Sequence, residues 1–89
     1  MSENNLMFKG KPMIRRDNKI YYGSFDDDFI IEMTIINSKE VLGQEVAGDI
    51  LIELKETGRD NVVKKAERNG LYKAIDIAEF WLLDALGEV

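Results

Sequence analysis

Neither cysteine nor histidine occurs in this 89-residue chain, and proline occurs once, at Pro12. Without cysteine there is no disulfide, no thiolate metal site and no thiol nucleophile, which argues against a small secreted scaffold held by cross-links. Without histidine the commonest general base near neutral pH and the commonest transition-metal ligand are missing, so carboxylates, lysine, tyrosine and Ser/Thr hydroxyls are left for any chemistry. No stretch approaches the roughly 18 apolar residues of a membrane span. Met1 to Asn5 lacks the basic region and apolar run of a secretory leader, and the expectation is a cytoplasmic protein. The glycines at Gly43 and Gly48 are not followed by Lys-Ser/Thr, so they match neither a P-loop nor a dinucleotide fingerprint. These absences predict a chain with no catalytic activity of its own, no cofactor and no bound metal.

What is present is the composition of a folded globular chain, 45% hydrophobic and 33% charged, without repeats or low-complexity segments. Eighty-nine residues suit one domain with one core, with residues 1–5 expected to be disordered. A core this small leaves little margin of stability, so association with a second copy is expected to help.

The net charge of −5 is unevenly spread. Residues 1–24 hold five basic side chains against two acidic ones, and residues 25–56 hold two against nine. The remainder is nearly balanced. This division suits an electrostatically matched contact between two copies, while the overall acidity disfavours nonspecific binding to nucleic acid or anionic lipid.

Along the chain, Leu6, Met7 and Phe8 form a small apolar cluster able to fold back on the body. Asp17-Asn18 falls between two short strands in the run Met13–Ser24, and both residue types tolerate the left-handed backbone of tight hairpin turns. Three consecutive aspartates, Asp26, Asp27 and Asp28, repel one another and belong in a solvated loop. From Phe29 to Asn37, Phe29, Ile31, Met33 and Ile35 alternate with Ile30, Glu32, Thr34 and Ile36, the clearest strand in the sequence.

Residues 38–55 read two ways, since Leu42, Val46, Ile50 and Leu54 have helical spacing while Ile50, Ile52 and Leu54 alternate. Gly43 and Gly48 weaken the helix by roughly 1 kcal/mol each, so a strand from Val46 to Lys55 after a loop or short turn is preferred. Asp60 or Asn61 can cap a first helix reaching Arg68, with Val62, Val63 and Ala66 on one face, which Asn69-Gly70 would end. A second helix follows from Leu71 to Leu86, with Gly87 beyond its end. The predicted fold is therefore α+β: an antiparallel β-meander of about four strands followed by two C-terminal helices packed on one sheet face.

Three groups of residues are candidates for function. The aspartates of the acidic loop carry oxygen ligands for a hard cation but lack the spacing of a calcium loop, so a solvated, metal-free turn is expected. Lys9, Lys11, Arg15, Arg16 and Lys19, with Tyr21, have the chemistry of a single-strand nucleic-acid platform, in which cations follow phosphates and a ring stacks on a base. Tyr22 points to the opposite face. In the second helix, Leu71, Ala74, Ile75, Ala78, Leu82 and Ala85 form a stripe. Ile77, Phe80, Trp81 and Leu83 lie outside or at its margin, more apolar surface than one sheet contact requires. Ile75, Ala78 and Leu82 are assigned to the core, and some of Ile77, Phe80, Trp81 and Leu83 to a dimer interface. The leading expectation is a small interaction module binding itself or another protein; the alternative is a nucleic-acid-binding accessory protein.

Overall fold

The structure, a computed structural model, describes residues 5–59 and 61–88. Among these residues eight strands precede a single helix: β1 Asn5–Phe8, β2 Lys11–Arg16, β3 Lys19–Tyr22, β4 Phe29–Ile35, β5 Ser38–Val41, β6 Gln44–Ala47, β7 Asp49–Glu56, β8 Val62–Asn69 and α1 Leu71–Leu86. Six strands form one antiparallel sheet in the order β1-β2-β3-β4-β7-β8, and β5 and β6 form a separate two-stranded hairpin inserted between β4 and β7. The α+β class, the antiparallel meander and the C-terminal helix agree with the sequence reading. The number of strands and the second helix do not.

Alternation decides which side chains meet the helix. Ile20 and Tyr22 of β3, Ile31 and Met33 of β4, and Ile50, Ile52 and Leu54 of β7 are buried together with Ala74, Ala78 and Leu82 of α1. The register aligns them in rows across the sheet, Tyr22 beside Ile31 beside Leu54 and Ile20 beside Met33 beside Ile52. Each fully buried Ile, Leu or Met contributes about 1.5–3 kcal/mol of transfer free energy. Phe8 closes one margin of this core: its ring meets Tyr22 edge-on at 5.8 Å, and the Tyr22 hydroxyl donates to Phe8 O at 3.0 Å. Burial pushes that hydroxyl above its ordinary pKa. Of the Leu6–Phe8 cluster expected to fold back on the body, Phe8 packs against the core while Met7 is 66% exposed; the segment is strand β1, and Asn5, expected within a disordered start, is its first residue. Residues 1–4 lie outside the described residues.

Asp17-Asn18 links β2 to β3 as expected, with Asp17 at φ 54°. Two further tight turns use Lys9-Gly10 (φ 51° and 83°) and Leu42-Gly43 (φ 53° and 81°), so the second residue of each takes a left-handed conformation that glycine adopts without strain. The second of these corrects residues 38–45, expected as a loop: β5 and β6 pair from Ser38–Ala47 to Val41–Gln44, and the following strand starts at Asp49 rather than Val46.

The predicted first helix is a strand. Residues 62–69 form β8, paired with β7 through Leu54–Lys64, Glu53–Lys65, Ile52–Ala66 and Leu51–Glu67, with a bulge at Leu54/Lys55. A helix here would have buried only two valines and an alanine, whereas a strand satisfies the outer backbone groups of β7, whose Ile50 and Ile52 are fully buried. Of the two proposed caps, Asn61 is outside any helix and Asp60 lies outside the described residues. Asn69-Gly70 forms the sharp corner between β8 and α1, where Gly70 N donates to Gly48 O at 2.9 Å. The C-terminal helix spans the expected residues, and Gly87 caps it in the left-handed conformation (φ 75°, ψ 25°).

Alanine at positions 74 and 78 lets α1 lie close to β4 and β7. Ala78→Leu is therefore expected to destabilise the fold by about 1–3 kcal/mol through overpacking, and Leu82→Ala by about 2–5 kcal/mol through a cavity. Urea midpoints that fall for both variants with an unchanged slope are the expected result.

Candidate interaction surfaces

The face of the sheet away from α1 is organised by one carboxylate. Glu32 stands alone among apolar neighbours in β4, and its side chain is only 12% exposed. Lys19 of β3 donates to Glu32 Oε2 at 2.7 Å and to Thr34 Oγ1 at 3.1 Å, while Lys55 of β7 donates to Glu32 Oε1 at 2.9 Å. Burial alone would raise the Glu32 carboxyl, but the hydrogen bonds and charges of the two lysines outweigh it and hold the group below its ordinary pKa. The Glu32 hydrogen bond raises Lys19 in turn. A lone glutamate within the Phe29–Ile35 run is a sequence signal for a cationic partner across the strands, although Glu32 is not among the candidate residues that composition and spacing single out.

A second polar cluster fixes the β5–β6 hairpin to the sheet. Asp49 Oδ2 accepts from the Asn37 amide and Asp49 Oδ1 from the Asn69 amide, each at 3.0 Å, while Asp49 N donates to Asn37 Oδ1 at 2.9 Å. The two amides hold the Asp49 carboxyl below its usual range. Gly48 is required beside it, because a Cβ there would overlap Asn37 Oδ1.

The basic residues of the amino-terminal region are divided between the two faces. Lys9 and Lys11 reach α1 and its end, pairing with Glu79 at 3.2 Å and Glu88 at 3.1 Å. Arg15 Nε donates to Asp17 O at 3.1 Å. Arg16, Lys19 and Tyr21 share the open face, where Ile14, Arg16, Tyr21 and Phe25 surround a shallow hollow of about 350 Å³. Tyr22 is buried on the other side. The structure therefore assembles three of the six proposed nucleic-acid residues and directs Lys9 and Lys11 to carboxylates of the same chain.

No family profile, curated protein or solved structure matches this chain.

In the acidic loop Asp26 and Asp28 are exposed and Asp27 is half-buried. Ser24 organises the turn, accepting from Asp26 N through Oγ and from Asp27 N through its carbonyl, both at 3.1 Å. Among the described residues no three His, Cys, Asp or Glu side chains are grouped to hold a metal ion, and no helix is long and apolar enough to cross a membrane.

On α1, Ala78 and Leu82 are fully buried and Ile75 packs against the core. Leu71, the first residue of the helix and of its apolar stripe, is 37% exposed. Ile77 and Trp81 are half-buried, and the Lys64 ammonium of β8 lies 5.9 Å from the centre of the Trp81 ring, so this flank of the helix adjoins the β8 edge. Phe80 points outward at 57% exposure, Leu83 is half-buried, and Tyr72 is 88% exposed. At the sheet edge, Val62 and Val63 are both exposed, as are all of Lys64, Lys65, Glu67, Arg68 and Asn69.

Glu32→Gln removes the charge that both lysines require and is expected to cost about 1–2 kcal/mol at neutral pH. A carboxyl held below its unfolded-state pKa stabilises the fold above that value and loses the contribution as pH falls through the folded-state pKa. The stability difference between wild type and Glu32→Gln, read from urea midpoints, should therefore narrow steadily below pH 4.5, the ordinary value of the group.

Proposed function

We propose that this chain is a small interaction module, without catalytic activity of its own, that works as a homodimer. The observation that carries the reading is the edge of β8: eight residues of strand, with exposed valines at one end, forming the last strand of the sheet among the described residues. An uncovered edge of this length presents a row of backbone donors and acceptors and is a template for another chain unless something covers it. The absence of histidine and cysteine supports a binding role over acid–base or thiol chemistry. The nucleic-acid reading has less support, because Lys9, Lys11 and Lys19 already face Glu79, Glu88 and Glu32 of the same chain.

Size exclusion coupled to light scattering at tens of micromolar protein is expected to return twice the chain mass, and a monomeric mass overturns the proposal. In low salt, where phosphate contacts are strongest, no gel shift with single-stranded RNA or DNA is expected. A salt-sensitive shift would transfer the function to the basic residues of the open face.

A further inference from the structure

We infer that β8 pairs antiparallel with β8 of a second copy about a twofold axis at Ala66, joining two sheets into one of twelve strands; this rests on the homodimer reading and adds its geometry. The register of β7 and β8 fixes which backbone groups are available. Asp49 lies opposite Asn69, and Gly70 N bonds Gly48 O, the bond that flanks a non-hydrogen-bonded antiparallel pair. Asn69 therefore turns its N–H and C=O away from β7, and by alternation so do Glu67 and Lys65, whereas Ala66 and Lys64 turn theirs inward. Consistent with this, Glu67 O is reached by the Arg68 guanidinium at 2.7 Å. No other described residue hydrogen-bonds the outward backbone groups of Lys65, Glu67 and Asn69.

An axis at Ala66 sets Lys65 opposite the partner's Glu67, and Glu67 opposite the partner's Lys65. Each of these pairs exchanges two backbone hydrogen bonds and places opposite charges face to face on the open side of the sheet. An axis at Lys64, Lys65, Glu67 or Arg68 sets a charge opposite its own copy. Ala66 alone gives opposite charges twice, and its short side chain leaves the axis uncrowded. The arrangement also carries two like-charge contacts, because on the helix side Lys64 meets the partner's Arg68 and Arg68 meets the partner's Lys64. Lys64 is drawn toward the Trp81 ring and both side chains are exposed, which limits the repulsion.

The natural absence of cysteine permits a direct test with single introduced thiols. The two Ala66 Cα atoms would lie about 4.5 Å apart as a non-hydrogen-bonded pair, within disulfide range. Under mild oxidation Ala66→Cys is expected to form a covalent dimer much faster than Leu42→Cys, whose position at the β5–β6 tip is 99% exposed and reports random collision. Lys65→Glu should weaken the dimer about tenfold and Lys65→Glu/Glu67→Lys should restore it, while Arg68→Glu should tighten it severalfold by converting the like-charge contacts. Far-UV circular dichroism on each variant separates lost association from lost folding. A wild-type dimer that neither cross-links at Ala66 faster than at Leu42 nor responds to Lys65→Glu overturns this geometry and leaves the homodimer standing. A monomeric wild type overturns both.

Discussion

One contact supports the whole molecule: the stripe Ala74, Ala78 and Leu82 of α1 pressed against the isoleucines, leucine and methionine of β4 and β7. A sheet buries one face only if something flat and apolar lies on it, and among the described residues a single helix of sixteen residues does so. Small side chains at positions 74 and 78 bring the helix backbone near the sheet, so a row of large β-strand residues can fill the space between.

Because α1 covers only one face, the opposite face has to be stable in contact with water. It is stabilised by polar cross-strand pairing, with Glu32 shared by Lys19 and Lys55 across three strands and Thr34 completing the coordination of Lys19. The pair energies of such contacts are modest in water, but Glu32 is shielded by its neighbours, and the arrangement also disfavours register slips that would bring the lysines inward. The same limited reach leaves the outer strand β8 with one side unpaired. Its charged residues keep that edge soluble without closing it, which is why the edge and not a pocket is the surface on which function is proposed.

The β5–β6 hairpin shows how a polar cluster substitutes for burial. Its strands are exposed along nearly their whole length, and its placement depends on the Asn37–Asp49–Asn69 hydrogen bonds at its base, on Lys39 reaching Asn69 at 3.4 Å and on the close approach that Gly48 allows. These contacts join the ends of β4, β7 and β8 at the corner where α1 begins, so the hairpin base and the helix start are positioned together.

The sequence by itself determined the elements whose signals are local. The alternation of Phe29–Ile35 depends only on which face is apolar, the Asp17-Asn18 turn on residues that tolerate positive φ, and the helix at 71–86 on a four-residue apolar repeat ended by Gly87. The absence of cysteine and histidine bounded the chemistry in the same local way. Tertiary structure alone decided the rest. Val62–Asn69 has too few apolar residues to declare a period, and it became a strand because β7 needed a partner for its outer backbone groups. Lys9-Gly10 and Leu42-Gly43 lack the usual asparagine or aspartate of tight hairpins, so β1 and the β5–β6 pair were invisible until their partners were in place. The grouping of Glu32 with Lys19 and Lys55, and of Asp49 with Asn37 and Asn69, arises from strand order and register. Those are properties of the assembled sheet, set by long-range pairing that no single segment encodes.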